Sequence, residues 1–443
     1  MEVLEKHKLQ FKLGYDRLSK EDFMTGTGFD SATTFFGLSL LDPWVELSLL
    51  LGVSLVAMSD FFRRFQSSLK NARRLESWEQ LAKDPSAAES VNVSVIIPAY
   101  NEAVNIADCL EAVLANDLSN AVELQVIVAD DESTDETASL AKEVAAGDDR
   151  ALVFTVPPRP DDEVWRGKNW ACDRAVEKAT GDYLLFIDAD VRIGPQTIVR
   201  AVRSAKKHNA GLLSCAPLIV YGCFAEWLVQ PLMVNLIAIG FDFDAVNDPA
   251  QPETALAAGP FMLFRRSAYD KIGGHRAVAD DAVEDLALAA LIKENSLGLR
   301  YVLGLDAAEV QMYRSWSDLW EGWTKNYYLG TGRSIVLTVI SAAAVFLIFS
   351  LPWLGLVAGL IGCLLDWTGP VPMVLGGLAV VWQMLLRTWS ARSVDQSVRY
   401  LWLAWLAGGV VSAIALASIV KTETGWGWTW RGRSLAMPVK PNA

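Results

Sequence analysis

Three patterns of apolar positions follow one another along the 443 residues of this chain. Near its start, Trp44-Val-Glu-Leu-Ser-Leu-Leu-Leu-Gly-Val-Ser-Leu-Val-Ala-Met58 is almost unbroken in its apolar character. Asp42, Pro43 and Glu46 shorten it below the roughly 20 residues that a perpendicular membrane span needs. Residues 33–59 therefore predict a transmembrane helix, with an interfacial or buried helix as the alternative, preceded by a mixed, charged tail over residues 1–32. From Phe61-Phe-Arg-Arg64 to Arg73-Arg74 the chain is basic and amphipathic, so residues 60–90 read as a linker at a cytoplasmic membrane surface.

From 91 to 315 the pattern changes to short apolar runs that alternate with helical periodicity. Val93–Ile97, Leu124–Ala129, Leu152–Val156, Tyr183–Ile187 and Gly211–Cys215 each predict a buried strand. Val104–Ala115, Thr134–Ala145 and Lys168–Ala179 predict helices between several of them. Such alternation implies an α/β domain with a mostly parallel sheet covered on both faces.

The third pattern, residues 334–420, predicts a membrane domain of about three helices. Ile335–Leu365 carries no charge, and Val371–Leu386 and Tyr400–Val420 are further apolar runs. Pro352 is expected to kink or divide the first. The loop Arg387–Arg399 holds Arg387, Arg392 and Arg399 and suits the cytoplasmic side, whereas Asp366–Pro370 has no Lys or Arg. The tail, 421–443, conflicts with this count, because Lys421, Arg431 and Arg433 would then fall outside.

Composition narrows the class. The chain is 52% hydrophobic and has 17 Trp, too apolar for a plain soluble enzyme. Its net charge of −13 gives a nucleic-acid partner no electrostatic footprint. Five Cys without CxxC spacing and three scattered His make no zinc motif. The first 30 residues have no early apolar core, so a cleaved signal peptide is not expected.

Candidate chemistry gathers where strands end. Ile97-Pro98-Ala99-Tyr100-Asn101-Glu102 turns the first strand into a helix. Val128-Ala-Asp130-Asp131-Glu-Ser133-Thr-Asp135 puts acceptors after the second, able either to hold a base and ribose or simply to cap a helix. Trp165-Arg-Gly167-Lys168-Asn169 sets a cation at a helix start, where backbone N–H groups also meet anions. Asp188-Ala-Asp190 ends the apolar run Tyr183–Ile187 with two spaced carboxylates, hard ligands suited to Mg²⁺ or Mn²⁺ at a sheet's carboxyl edge. Asp280-Asp281-Ala-Val-Glu284-Asp285 opens a helix with paired acids, which can favour the helix dipole or take a proton from an attacking hydroxyl.

In this order the motifs resemble the family 2 glycosyltransferases of the GT-A fold, over roughly residues 91–335. The resemblance implies a nucleotide-diphosphate-sugar donor, with UDP favoured. It implies a donor site that includes Pro98, Tyr100, Glu102, Asp130, Asp131, Lys168 and Asp188. Asp188 and Asp190 would hold a divalent cation, Asp285 would be the catalytic base with Glu284 its supporting neighbour, and the reaction would invert the anomeric centre. Gly259-Pro-Phe-Met-Leu-Phe264 and Gly273-Gly274-His275 look like the family's acceptor side, although a buried strand and a turn explain them too. Processive members carry Gln-x-x-Arg-Trp. Here Gln311-Met-Tyr-Arg314-Ser-Trp316 has one residue inserted, which weakens a polysaccharide-synthase reading and leaves Arg314 and Trp316 as donor or acceptor contacts.

Trp316, Trp320, Trp323 and Tyr327 recur on one helical face, so residues 316–333 predict an interfacial amphipathic helix, with packing on the catalytic domain as the alternative. With Met312–Trp316, Gly322–Asn326 and Trp430-Arg-Gly-Arg433, the chain most resembles the hopene- and carotenoid-associated branch of the family. The expected function is non-processive transfer of a sugar to the hydroxyl of a membrane isoprenoid, by an integral membrane protein with a cytoplasmic catalytic domain in a bacterial membrane. A polyprenyl-phosphate glycosyltransferase, a polysaccharide synthase and a non-enzymatic membrane scaffold are the alternatives.

Overall fold

The computed structural model describes residues 42–81, 90–119, 121–160, 163–394, 396–426, 429–430 and 433–434. The expected tail at residues 1–32, the start of the first span before Asp42, residues 82–89 of the expected linker, and residues 427–428, 431–432 and 435–443 of the expected tail 421–443 lie outside the described residues. The chain divides into two units, Met1–Glu46 and Leu47–Ala443. What is described of the first is the opening of a helix, where the Asp42 carboxylate accepts the Trp44 N–H at 2.8 Å.

That helix, α1 (Pro43–Asn71), runs on through the basic stretch expected to be a linker. A short α2 (Trp78–Leu81) precedes the sheet. Then come β1 (Val91–Ala99), α3 (Ile106–Leu114), β2 (Val122–Asp130), α4 (Thr137–Ala145), β3 (Ala151–Thr155), α5 (Gly167–Val176), β4 (Tyr183–Ile187), β5 (Val191–Ile193), α6 (Thr197–Lys207) and β6 (Leu212–Ile219). The second half holds α7 (Phe224–Gly240), α8 (Phe243–Asn247), β7 (Phe261–Arg265), α9 (Arg266–Lys271), α10 (Glu284–Glu294), β8 (Leu299–Val310) and α11 (Trp316–Gly330). The apolar C-terminal third forms α12 (Ile335–Val345), a π-helical turn Phe346–Ser350, α13 (Leu351–Leu364), α14 (Val371–Ser393) and α15 (Ala404–Thr424), followed by a small hairpin, β9 (Thr429–Trp430) and β10 (Arg433–Ser434).

Eight strands make one sheet in the order β3-β2-β1-β4-β7-β6-β8-β5. Each of the five strands expected from sequence overlaps one of them. The sheet is mixed rather than mostly parallel: β7 runs antiparallel to both β4 and β6, and β5 antiparallel to β8. In β1, Val93, Val95 and Ile97 join one core while Ile96 joins the other, as the period of two in a strand requires. Gly181 lets the chain enter β4 against β1, since a Cβ there would stand 2.5 Å from the Ser94 nitrogen.

A third cluster joins the sheet domain to the apolar helices. Phe61 and Phe62 of α1, Leu228 and Leu232 of α7, Trp323 of α11, Phe349 and Val411 pack together. Those side chains that leave water on folding contribute roughly 1.5–3 kcal/mol each, whereas those on the membrane-length helices gain close packing instead. Among the described residues, four helices are long and apolar enough to cross a membrane: Pro43–Asn71, Ile335–Leu364, Val371–Ser393 and Leu401–Thr424. Pro352 lies in one of them without dividing it. A proline lacks the N–H its turn needs, and the wider π turn at Phe346–Ser350 stands just before it.

Two placements revise the reading of the helix ends. The tail does not begin away from the start of α12, because Arg333 Nε lies 2.9 Å from Glu423 Oε1. Arg387 is not in a loop but inside α14, 4% exposed. Of the aromatic stripe expected at headgroup depth, Trp323 is buried and donates to Gln230 of α7 at 2.9 Å, whereas Trp316 is 43% exposed.

Candidate active site

The carboxyl ends of β1, β2 and β4 open on one edge, because all three run parallel. The loops after β1 and β2 are stitched to each other. Asn101, with a left-handed φ of 52°, accepts the Thr134 N–H at 2.9 Å, and its own N–H reaches the Ser133 hydroxyl at 3.0 Å. The Glu102 N–H reaches Thr137 Oγ1 at 2.7 Å. Pro98 and Tyr100, partly buried, thereby stand beside the end of β2.

Asp130 closes β2 and is 3% exposed. Its Oδ1 has no hydrogen-bond partner among the described residues, while Oδ2 takes only a 3.5 Å approach from Thr155. A buried carboxylate oxygen left open is costly, so this atom is suited to a hydroxyl or N–H supplied by a ligand. Asp131 lies 3.5 Å from Arg159 and abuts Gly167, where a Cβ would stand 2.5 Å from Asp131 Oδ2. The bare backbone of Gly167 is what lets α5 start against this acid.

One residue further, Lys168 Nζ sits 2.7 Å from Asp188 Oδ1 and 2.7 Å from Glu284 Oε1. Two acids 96 positions apart in sequence, Asp188 and Glu284, thus meet on one ammonium group. Burial works against charge on Lys168, but Asp188 and Glu284 overcome it and hold its pKa well above the ordinary lysine value. Burial likewise opposes charge on Glu284, and Lys168 reverses the balance, holding that carboxyl below its usual range. Its neighbour has no such partner. Asp285 accepts the Gly259 N–H at 2.9 Å and the Leu286 N–H at 2.8 Å, yet burial and the adjacent Glu284 charge push its pKa up to about 6. Two consecutive carboxyls are thereby separated, one kept ionised and one poised near neutrality, the pattern of an acid–base site.

Several groups that complete the site had no strong sequence signal. Asn169 donates to the carbonyls of Val278, Ala279 and Asp281, and Arg166 Nε donates to that of Asp280, clamping the segment before Glu284. Burial, then the Asp280 charge, raises the Asp281 pKa. Lys325 of α11 feels the fields of Glu284, Lys168 and Asp285; burial comes first and lowers its pKa. Glu226, fully buried in α7, accepts the N–H groups of Gly222 and Tyr313 at 2.9 Å each and so anchors the segment after β8.

That segment carries Arg314, whose Nη2 donates to Asn105 at 2.6 Å. A cavity of about 240 Å³ opens here among Asn101, Glu102, Gln311, Arg314, Asp318 and Glu321. Trp316 does not line it. Asp188 and Asp190 stand together at the β4 exit. Among the described residues no third Asp, Glu, His or Cys gathers with them.

The family model for glycosyl transferase family 2 matches residues 94–273, from β1 to just beyond α9. The 4,4'-diaponeurosporenoate glycosyltransferase of Staphylococcus aureus (strain MRSA252) is 30% identical over 278 residues, which cover 62% of this chain and 69% of that protein. The enzyme of the same name from Staphylococcus haemolyticus (strain JCSC1435) is 27% identical over 269 residues, 60% of this chain and 68% of the relative. Among solved structures, a mannosyltransferase from Pyrobaculum calidifontis in complex with GDP-Man and Mn²⁺ aligns with a TM-score of 0.49 and 18% identity, over 86% of this chain and 99% of that one. The chain belongs to glycosyl transferase family 2 and is a glycosyltransferase with a GT-A α/β domain and apolar helices of membrane-spanning length.

Proposed function

We propose that this enzyme moves one sugar from a nucleotide-diphosphate sugar, UDP favoured, to the hydroxyl of a membrane isoprenoid such as a carotenoid or hopanoid, with inversion. The observation that carries the reading is the division of labour between Glu284 and Asp285 around Lys168. Asp285, aimed by the Gly259 N–H, takes the proton of the acceptor hydroxyl. The acceptor oxygen then forms its bond to the anomeric carbon as the bond from that carbon to the diphosphate breaks, the electron pair leaving with the diphosphate. The Lys168 ammonium, carried on the first turn of α5, faces the charge that develops there. Asp130, Asp131, Pro98, Tyr100 and Glu102 are assigned to the nucleoside end. Gly259 is assigned to the acceptor side, and Arg314 and Trp316 remain proposed donor or acceptor contacts.

Asp188 and Asp190 offer hard oxygens two residues apart, which would hold Mg²⁺ or Mn²⁺ where diphosphate oxygens completed the coordination. When bound, such an ion supplies charge neutralisation for the leaving group. The interrupted Gln311-Met-Tyr-Arg314-Ser-Trp316 motif, with Arg314 tied to Asn105, supports single rather than processive transfer. The three arginines near the α14–α15 connection support a catalytic domain on the cytoplasmic face of a bacterial membrane.

A second reading comes from the relatives, which are named for an -oate, a carboxylic acid. A carboxylate acceptor attacks without a general base. The test incubates membranes bearing wild type or Asp285→Asn with Mn²⁺, labelled UDP- and GDP-sugars, and either an isoprenoid alcohol or an isoprenoid acid. Alkali-stable glycolipid made from the alcohol and lost in the variant supports Asp285 as base. Alkali-labile ester made from the acid and little changed by the variant supports the second reading. Label only in acid-labile polyprenyl phosphate sinks both.

A further inference from the structure

The membrane-side helices contain a second charged site that the transfer reaction does not use. Arg387 is 4% exposed inside α14, yet its Nη1 has no hydrogen-bond partner among the described residues. Its guanidinium stands 5.8 Å above the Phe349 ring. A cation placed this deep in an apolar helix costs several kcal/mol unless something neutralises it, and such residues mark a ligand or an ion path.

The surroundings of Arg387 are polar and shaped. A small pocket opens beside it, lined by Trp227, Asn235, Ser390, Gln396, Ser397 and Tyr400 among others. Asn235 reaches Ser390 at 3.4 Å, and the Tyr221 hydroxyl faces both Arg387 and Gln396. Tyr221, Trp227 and Tyr400 form an aromatic wall, with ring centroids 5.2 and 5.8 Å apart in succession. The pocket holds about 10 Å³, room for a single water-sized atom. One oxygen of a larger anion can therefore touch the guanidinium while the rest of the group stays at the mouth.

Exposed basic and apolar side chains stand close to it in sequence. Arg392 and Arg399 are exposed, and Arg399 sits 5.1 Å over Tyr400, which lines the pocket. Trp382, Leu385 and Trp389 of the same helix are exposed apolar side chains. Three arginines concentrated here stand out in a chain with a net charge of −13. The end of α14 is also tied to the sheet domain, through Phe65–Trp389 ring packing at 6.4 Å and the Asn235–Ser390 contact.

We infer that this pocket binds the phosphate of an anionic phospholipid, with Arg387 as the buried anchor and Arg392 and Arg399 as the rim. Guanidinium matches phosphate oxygens in charge and in fork geometry. Basic pockets between membrane helices at the cytoplasmic face take phospholipid headgroups on the same chemistry. None of the pocket's lining residues belongs to the Lys168–Glu284–Asp285 site, so the inference stands whatever the acceptor proves to be.

Full-length protein in neutral detergent is titrated with mixed micelles of phosphatidylcholine and phosphatidylglycerol while the thermal midpoint is followed. Wild type is expected to be stabilised by phosphatidylglycerol in a saturable way and not by phosphatidylcholine. Arg387→Met should need at least tenfold more phosphatidylglycerol for the same shift. Ser397→Trp, at an exposed position that closes the mouth without touching the arginine, should lose the response too and keeps the test valid if Arg387→Met does not fold. An unchanged response in the Ser397 variant, equal stabilisation by both lipids, or full protection by inorganic phosphate alone overturns the assignment.

Discussion

Lys168 and Arg387 are two cations inside the same chain, and their surroundings differ sharply. Lys168 meets two carboxylates at 2.7 Å each, so the protein itself supplies its counter-charge. Arg387 keeps a buried Nη1 without a partner among the described residues and faces a pocket. A cation locked to acids organises neighbouring groups, here by ionising Glu284 and leaving Asp285 near its titration point. A cation without such acids is completed from outside. The first arrangement suits chemistry and the second suits binding.

The largest expected effect lies on the locked side. Asp285→Asn should lower kcat by about 10²–10⁴ with a hydroxyl acceptor while leaving the thermal midpoint nearly unchanged, as read by label transfer and by melting. If kcat stays within a few-fold, Asp285 is not the base and the contrast loses its chemical half. Next in size, Lys168→Met leaves Glu284, 8% exposed, beside Asp188 with no cation between them. Stability should fall by roughly 2 kcal/mol in denaturant titration, and activity with it.

The pH profile sharpens the comparison. Burial and the Glu284 charge raise the Asp285 pKa to about 6 in the unliganded enzyme, so kcat/KM should rise with pH through that value and level off above it. Glu284→Gln removes the neighbouring negative charge that helps hold Asp285 up, so the acidic limb should move to lower pH. A limb that stays in place or moves upward breaks the link between the two residues.

The smallest effect concerns a buried charge with neither role. Glu76 accepts from Ser204 at 2.6 Å and pairs with Arg300 at 2.9 Å and His208 at 2.7 Å. Burial opposes ionisation there, but these partners outweigh it and lower the pKa to about 2. A carboxyl depressed in the folded state stabilises above its unfolded value near 4.5, and that contribution is lost as pH falls from there towards about 2. Glu76→Gln should therefore cost about 1.5 kcal/mol at pH 7 and flatten stability between those values, with little change in kcat.

Much of the site was legible before any fold was known, and the reason is local. Tyr183–Ile187 is apolar at every position and Asp188-Ala-Asp190 follows at once, so one strand and its terminal acids can be read from a few adjacent residues. Glu284 and Asp285 open a helix whose apolar period starts immediately after them. β8 was not anticipated, and the antiparallel place of β7 between β4 and β6 has no local signature, because pairing partners are chosen over long sequence distances. The clamping role of Asn169 and the anchoring role of Glu226 escaped notice for the same reason: their partners are backbone groups far along the chain.

The sequence by itself indicated five of the strands, the apolar helices, and which acids and cations are available, because side-chain period and strand-end chemistry are short-range properties. Tertiary structure decided how those charges are used. Only packing brings Lys168 between Asp188 and Glu284, and only the neighbouring Phe349 ring and the side chains of α7 turn Arg387 from an apparent loop residue into a buried one. Charge becomes function through its distance to other charges and its depth from water, and neither is written in any single stretch of chain.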